Sequence, residues 1–333
     1  MTRLFQWLCS AAVSLIALSS GFSSTAAFAQ ASPKPALQTI RIGGLRADSM
    51  IRLYHAERAG YLAQEGLKAE FTLLGSGPAV ASAVVSGSVD VGYSAVVPGI
   101  FARANQQPLR MFMTMATESG AAGQQGTWIA VRDASPARSL KDLAGKTVAI
   151  NASGALCELL VRDHLAKAGV AYDAVKIVVL PFPQMQAALQ TGNADAACLT
   201  EPFFAAAKLA PQVRARALAA GMVADLAPQT RVAQDGMFVR DDWGSANKDL
   251  LRKLIKATAR ATEDFRKSPA LYRRLMVEEF KLTPATADQI AIYFDFGELS
   301  AQPRDLQPIL SAMQRHGLHK SELKAEDVVL PLN

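Results

Sequence analysis

Residues 83–92 read Ala-Val-Val-Ser-Gly-Ser-Val-Asp-Val-Gly, and residues 187–196 read Ala-Ala-Leu-Gln-Thr-Gly-Asn-Ala-Asp-Ala. Aligned on Gly87 and Gly192, both run from an apolar helix through Gly, a small polar residue, a small apolar residue and Asp into an apolar strand. Glycine accepts a left-handed backbone without a Cβ penalty. Each stretch therefore predicts a helix closed by a left-handed glycine that turns at once into a buried strand. The unit occurs twice, which predicts two α/β lobes of similar design. A cleft between two such lobes is a natural place for a ligand.

Working outward, the first unit is preceded by a strand at 39–43, a helix from about Ser49 to Gln64 ended by Gly66, a second strand at 69–74, and a helix opened by Pro78. It is followed by a strand at 89–93, a helix at 95–104 and a strand at 109–115. Residues 117–126 (Thr-Glu-Ser-Gly-Ala-Ala-Gly-Gln-Gln-Gly) break the alternation and read as a crossing. Beyond it come strands at 127–131, 146–150, 175–180, 194–199, near 214–218 and at 234–239. Helices at 155–168, at 183–190 and after Pro202 alternate with them. Such alternation predicts α/β lobes with mostly parallel sheets. From Trp243 the pattern is helical, at about 245–267, 269–280, 284–296 and 304–315. These amphipathic helices need sheet faces to cover, which returns the chain to the first lobe. The expected division is a signal peptide at 1–29, lobe one at 36–118 plus 241–333, and lobe two at 119–240. Its two hinge crossings lie near 117–127 and 230–240.

The chain has 333 residues, half of them hydrophobic and 19% charged, enough for two packed lobes and against disorder. Arg3, the apolar run Leu8–Leu18 and Ala27-Phe28-Ala29 predict an export signal cleaved before Gln30. A soluble periplasmic protein is expected, since no other stretch reaches membrane-spanning length without charges. The net charge of +6 becomes +5 without Arg3. Much of the excess falls at helical spacing on Lys248, Arg252, Lys253, Lys256 and Arg260, which reads as a solvated helix face. With no aromatic platform beside it, nucleic-acid binding is not expected. Of the three cysteines, Cys9 leaves with the signal. Cys157 and Cys198 read first as two buried thiols, small hydrophobes in a core, although the compartment permits a disulfide between them.

Ligands of open α/β sheets sit beyond the carboxyl ends of strands. That rule yields the candidate residues Arg46, Asp48 and Ser49 after the first strand, Ser76 and Gly77 after the second, Ser94 and Ala95 after the third, and Thr117 after the fourth. In lobe two it yields Ser153 and Gly154, Phe182, and Glu201. Ser76-Gly77 and Ser153-Gly154 each set a hydroxyl and backbone N–H groups at the positive end of a helix. Either is a preformed anion site or an ordinary N-cap. Arg46 would neutralise an acid or sit on the surface. Glu201 would bind an amine or cap a helix. Phe182, Phe203, Phe204 and Trp128 would wall the cleft or fill the core. His55 and His164 lack any metal-ligand spacing, so neither metal nor cofactor is expected. No G-x-S-x-G, H-E-x-x-H, C-x-x-C or P-loop is present, and nothing in the sequence asks for an enzyme.

Ile-Arg-Ile-Gly-Gly-Leu at 40–45, Ala-Glu-Arg-Ala-Gly-Tyr-Leu-Ala-Gln-Glu-Gly-Leu at 56–67, the two glycine units and Leu-Lys-Asp-Leu-Ala-Gly-Lys-Thr-Val-Ala at 140–149 carry a resemblance. Over about residues 39–240 the chain resembles the periplasmic substrate-binding proteins of nitrate, sulfonate and taurine ABC importers. The related proteins that bind thiamine-pyrimidine precursors share the pattern. The resemblance implies a two-lobed periplasmic binding protein fold with a helical C-terminal part, acting as a monomer. It would close on a small molecule and dock on an ABC permease at the inner membrane. The family's ligand contacts come from the strand-end loops named above. The glycine- and cysteine-rich loop of the pyrimidine branch is missing, and no dense set of Arg or Lys points to a small charged ion such as nitrate. The expected ligand is an organic anion, an alkyl or aromatic sulfonate or a carboxylate. A thiamine-pyrimidine-type precursor, or a role as ligand-sensing partner of a signalling receptor, is the alternative. An enzyme on the same fold would show itself by turnover.

Overall fold

A computed structural model describes residues 36–120, 125–293, 297–320 and 322–332. The expected export signal and its cleavage site lie outside these residues. In chain order the elements are β1 (Gln38–Gly44), α1 (Ile51–Arg58), α2 (Tyr61–Gln64), β2 (Leu67–Leu73), α3 (Gly77–Val85), β3 (Val91–Ala95), α4 (Val96–Ala104), β4 (Leu109–Glu118) and β5 (Thr127–Val131). Then come β6 (Thr147–Ile150), α5 (Leu156–Lys167), β7 (Lys176–Val179), α6 (Phe182–Thr191), β8 (Ala196–Thr200), α7 (Phe203–Leu209), β9 (Arg216–Ala220) and β10 (Val232–Arg240). The helices α8 (Asp241–Ala246), α9 (Lys248–Lys267), α10 (Pro269–Phe280), α11 (Pro284–Gln289), α12 (Pro303–Arg315) and α13 (Ala325–Val328) complete the chain.

The strands form two five-stranded sheets with one topology used twice. The orders are β2-β1-β3-β10-β4 and β7-β6-β8-β5-β9. In each sheet the first three strands run parallel, and the fourth is antiparallel to both its neighbours. That antiparallel strand is β5 in one sheet and β10 in the other. Each is the strand that arrives from the opposite lobe.

The repeated unit explains why the two sheets match. Gly87 and Gly192 both adopt the left-handed conformation, at φ 74° and 81°. Just beyond, Asp90 and Asp195 do the same job. Each donates its backbone N–H to the first parallel strand, to Arg41 O at 2.9 Å and Thr147 O at 2.8 Å. Each carboxylate accepts the N–H of that same residue, at 2.8 Å in both sheets. The aspartate therefore sets the register between the strand it opens and the neighbouring parallel strand.

Several expectations are corrected. The helix expected over 49–64 begins as a 3-10 turn at Asp48–Met50 and is broken at Gly60, whose φ of 73° ends α1 and starts α2. The helix expected over 284–296 stops at Gln289. The reading that ended lobe two at residue 240 put β10 in the wrong sheet: β10 pairs with β3 and β4. Eight of its nine residues are buried, on both faces, so it needs a neighbour on each side. Cys157 and Cys198 are joined in a disulfide, with Cα atoms 5.8 Å apart, instead of standing as two free thiols. A helix start and a strand packed beneath it come within bridging distance, a separation that sequence does not contain.

The C-terminal helices cover sheet faces. The longest, α9, buries Leu250, Leu251, Leu254, Ala257, Ala261 and Phe265 at helical spacing against α1, α2 and α10. Helix α12 packs on β10, α4 and α5, and so touches elements of both sheets. None of the described helices is long and apolar enough to cross a membrane.

Candidate functional site

Strand ends from both sheets face a small cavity of about 40 Å³. From the first sheet it is lined by Ala47 and Asp48 after β1, Gly77 at the start of α3, Tyr93 and Ala95 of β3, and Gln234 and Asp235 of β10. From the second sheet Thr127, Asn151, Cys157, Phe182 and Thr200 line it.

The buried polar groups are hydrogen-bonded in two clusters, one on Asp235 and one on Tyr293. Tyr93 donates its hydroxyl to Asp235 Oδ2 at 2.7 Å, and Ser49 Oγ donates to the same oxygen at 3.0 Å. Tyr293 donates to Asp48 Oδ1 at 3.3 Å, and Gln234 Nε2 donates to the Tyr293 hydroxyl at 3.3 Å. Arg52, fully buried behind them, donates to the carbonyl of Met115. Four oxygens of cavity-lining residues have no hydrogen-bond partner among the described residues: Asp48 Oδ2, Asp235 Oδ1, Gln234 Oε1 and Asn151 Oδ1. Buried polar atoms are normally paired. All four are acceptors, and no Arg or Lys lines the cavity.

Burial raises the carboxyls. Asp235 is pushed up to about 6, with Tyr93, Arg52 and Ser49 pulling it back. Asp48 is raised well above the usual carboxylate range, first by burial and then by the charges of Asp235 and Glu201. The hydroxyls of Tyr93 and Tyr293 are driven up by burial and by the same carboxylates, and so remain protonated donors. Asp235 therefore changes charge near pH 6, and Asp48 beside it is pushed toward its neutral form.

Four of the sequence candidates line the cavity: Asp48, Gly77, Ala95 and Phe182. Ser49 stands behind it on Asp235. The others are placed elsewhere. Arg46 turns away to the C-terminal end of α10, donating to Phe280 O at 2.9 Å and lying over the Phe280 ring. Ser76 Oγ accepts from Ala79 N at 3.3 Å, so it caps its own helix. The N–H of Gly154 is taken by Glu158 at 2.7 Å, which fills the anion position at the start of α5. Ser153 and Gly154 line a separate groove. Ser94 Oγ donates to the Ala95 carbonyl at 2.8 Å, and buried Thr117 pairs with Ala233 across β4 and β10. Glu201, buried and raised to about 7 by that burial, caps α7 by accepting from Ala205 N at 3.1 Å. Trp128 stacks on Phe204 at 4.5 Å, and Phe203 on Phe182 at 5.3 Å. His55 and His164 each face one carboxylate, of Asp264 and Asp225.

Sequence reasoning missed Asp235, Gln234, Tyr93 and Asn151. The signal was present for the first two: Gln-Asp interrupts an otherwise apolar strand, Val-Ala-Gln-Asp-Gly-Met-Phe-Val. A charge in the middle of a buried strand needs a reason to be there.

Two matching α/β sheets joined by two crossings, with a cavity between their strand ends, define the periplasmic binding protein fold. The chain resembles the alkanesulfonate-binding protein SsuA from Xanthomonas axonopodis pv. citri bound to MOPS, with a TM-score of 0.74, 21% identity, and 90% of this chain and 99% of that one covered. It also resembles the periplasmic nitrate-binding protein NrtA from Synechocystis PCC 6803, with a TM-score of 0.67, 16% identity, and 87% and 84% covered. The chain belongs to the NMT1/THI5-like family, which it matches over residues 48–271. A curated relative, a putative aliphatic sulfonates-binding protein of Escherichia coli (strain K12), is 30% identical over 139 residues. That match spans 42% of each of the two chains, less than half of the relative's length.

Proposed function

We propose that the chain is the extracytoplasmic solute-binding component of an ABC importer, which closes its two lobes on a small organic solute and presents it to a permease. The solute offers N–H donors, as an amine, an amidine or an aminopyrimidine does. One observation carries this reading: one oxygen each of Asp48 and Asp235 has no hydrogen-bond partner among the described residues, and both residues line a cavity that no cationic side chain lines. Donors on a ligand satisfy buried acceptors that otherwise cost about 1–3 kcal/mol each. The cavity in this closed arrangement has room for little more than a water or two, so entry requires the lobes to part at the crossings.

The second reading is an organic anion. It is favoured by the 30%-identical relative, a putative aliphatic sulfonates-binding protein. The internal capping by Ser76, Glu158 and Glu201 counts against it, because those side chains occupy the helix termini that would hold the anion. A thermal-shift titration at pH 5.5 and 7.5 separates the two. With Asp235 near 6, a nitrogen base binds more tightly as pH rises and the acid ionises, up to about tenfold per pH unit. An anion that binds in the cavity shows the opposite slope. Nitrogen bases that raise the melting temperature more at pH 7.5 support the proposal. Sulfonates that do so more at pH 5.5, with amines inert, overturn the ligand class.

A further inference from the structure

We propose that the groove between α3 and α4 is a second subsite of the cleft, holding an apolar tail of the same solute whose polar head sits against Asp48 and Asp235. The proposal rests on the reading that the cavity holds the solute, and it makes that solute amphipathic.

The two spaces share a gate. Pro98 borders both the cavity and the groove. On one side of the gate Gly77 faces the cavity and the next residue, Pro78, faces the groove. On the other, Ala155 faces the cavity while Ser153 and Gly154 face the groove. The boundary between cavity and groove therefore lies where the two lobes meet, at the same pair of loops. A Cβ added at Gly77 would stand 2.6 Å from Pro98 Cγ, so the helices meet at the gate as closely as their atoms allow.

The size and chemistry of the groove fit a tail. The groove encloses about 340 Å³, against about 40 Å³ for the cavity. Pro78, Ala81 and Val85 repeat at the spacing of one helix face, and the lining of α3 runs on to Ser86, about 12 Å along the axis. Phe101 and Ala102 of α4 form the other wall. Phe101 is 37% exposed, one of few large hydrophobic side chains left open to solvent among the described residues. No charged residue lines the groove. An apolar wall beginning at the mouth of an acceptor-lined cavity suits a molecule with a donor head and an aliphatic or aryl body.

The test uses n-alkylamines from ethyl to octyl, titrated calorimetrically against the chain and its Ser82→Trp variant, and separately the uncharged, amine-free probe 1-hexanol followed by methyl NMR at Ala81 and Ala102. The expected result is an affinity that climbs about two- to fourfold per added methylene until the groove is filled. In Ser82→Trp, octylamine and butylamine are expected to bind alike. The hexanol titration shifts the two alanine methyls. Amines that bind without any chain-length dependence overturn the tail subsite and leave the head reading standing. If no amine binds while hexanol shifts both methyls, the groove stands as an apolar subsite and the head reading fails. Hexanol that leaves both methyls unmoved overturns the subsite, whatever the amines do.

Discussion

Asp90 and Asp195 show how one residue type at one spacing builds the same corner twice. Both carboxylates accept a backbone N–H from the neighbouring parallel strand, but their surroundings differ. Asp90 also holds the Arg41 guanidinium, at 2.6 and 3.2 Å. Among the described residues, the Asp195 carboxylate accepts only the Thr147 N–H. Removing either carboxylate leaves one backbone N–H of an interior strand, β1 or β6, without its acceptor. Asp195→Ala is expected to cost about 1 kcal/mol, the ordinary net worth of one such bond. Asp90→Ala is expected to cost little more, because the Arg41 pair is solvated: the Arg41 side chain is 47% exposed. Urea unfolding of the two variants checks this. An Asp90→Ala loss several times that of Asp195→Ala would show that the ion pair, and not the shared strand bond, holds the first corner. The same scale separates what the sequence could reveal from what it could not. Gly-x-x-Asp is a local pattern with a local backbone consequence, and it was legible. Arg46 was not: its partner is the end of a helix more than two hundred residues later, and no local pattern records that meeting.

At the scale of elements, the crossings depend on Glu118. It ends β4 in the first sheet, and its carboxylate is fully buried. One oxygen accepts from Gly126 N at 2.5 Å and Thr127 Oγ1 at 2.8 Å, where the chain enters the second sheet. The other accepts from Val223 N at 2.9 Å and Ala224 N at 3.1 Å, in the turn that leads back. One side chain thus ties both connections between the sheets. Glu118→Ala removes the acceptor that all four donors share and is expected to lose about 2–4 kcal/mol. Glu118→Gln keeps one acceptor oxygen and, like the protonated acid that burial favours below about 7, carries no charge, so it is expected to lose less than Glu118→Ala. Denaturant unfolding of both variants checks this, and an Ala variant as stable as the wild type would remove the clamp. Element boundaries were mostly legible, because periodicity and glycine caps are written locally. The sheet that takes β10 was not. An apolar strand after a crossing fits the edge of either lobe, and only its burial on both faces assigns it to the interior of the first sheet. The cavity was half legible for the same reason: strand ends can be listed, but which of them converge depends on the packing of two sheets.

For the whole molecule, the buried acids decide how stability varies with pH. Burial raises Glu118 and Glu201 to about 7 and Asp235 to about 6, and it raises Asp48 as well. An acid held above its unfolded value keeps its proton longer in the folded chain, so folding is favoured while the proton is on and loses that advantage as pH rises through the folded value. For Glu118 and Glu201 the window runs from about 4.5 to about 7, and for Asp235 from about 3.8 to about 6. His164 works the other way, since burial lowers it and the folded chain prefers its neutral form, but it is one group against several. Asp163, lowered to about 2 and ion-paired with Lys167 and Arg315, loses its contribution only in stronger acid. The chain should therefore be more stable at pH 5 than at pH 8, its melting temperature falling by on the order of 5 °C or more between the two. Glu201→Gln should flatten part of that slope, because its neutral side chain has no charge to bury. A nitrogen-bearing solute should restore more stability at pH 8 than at pH 5, because its donors add to Tyr93, Ser49 and Arg52 in offsetting the charge of ionised Asp235. A melting temperature that is level or rising from pH 5 to pH 8 without ligand would mean that the buried acids titrate as solvated ones, and the electrostatic basis for the donor-bearing solute would go with them.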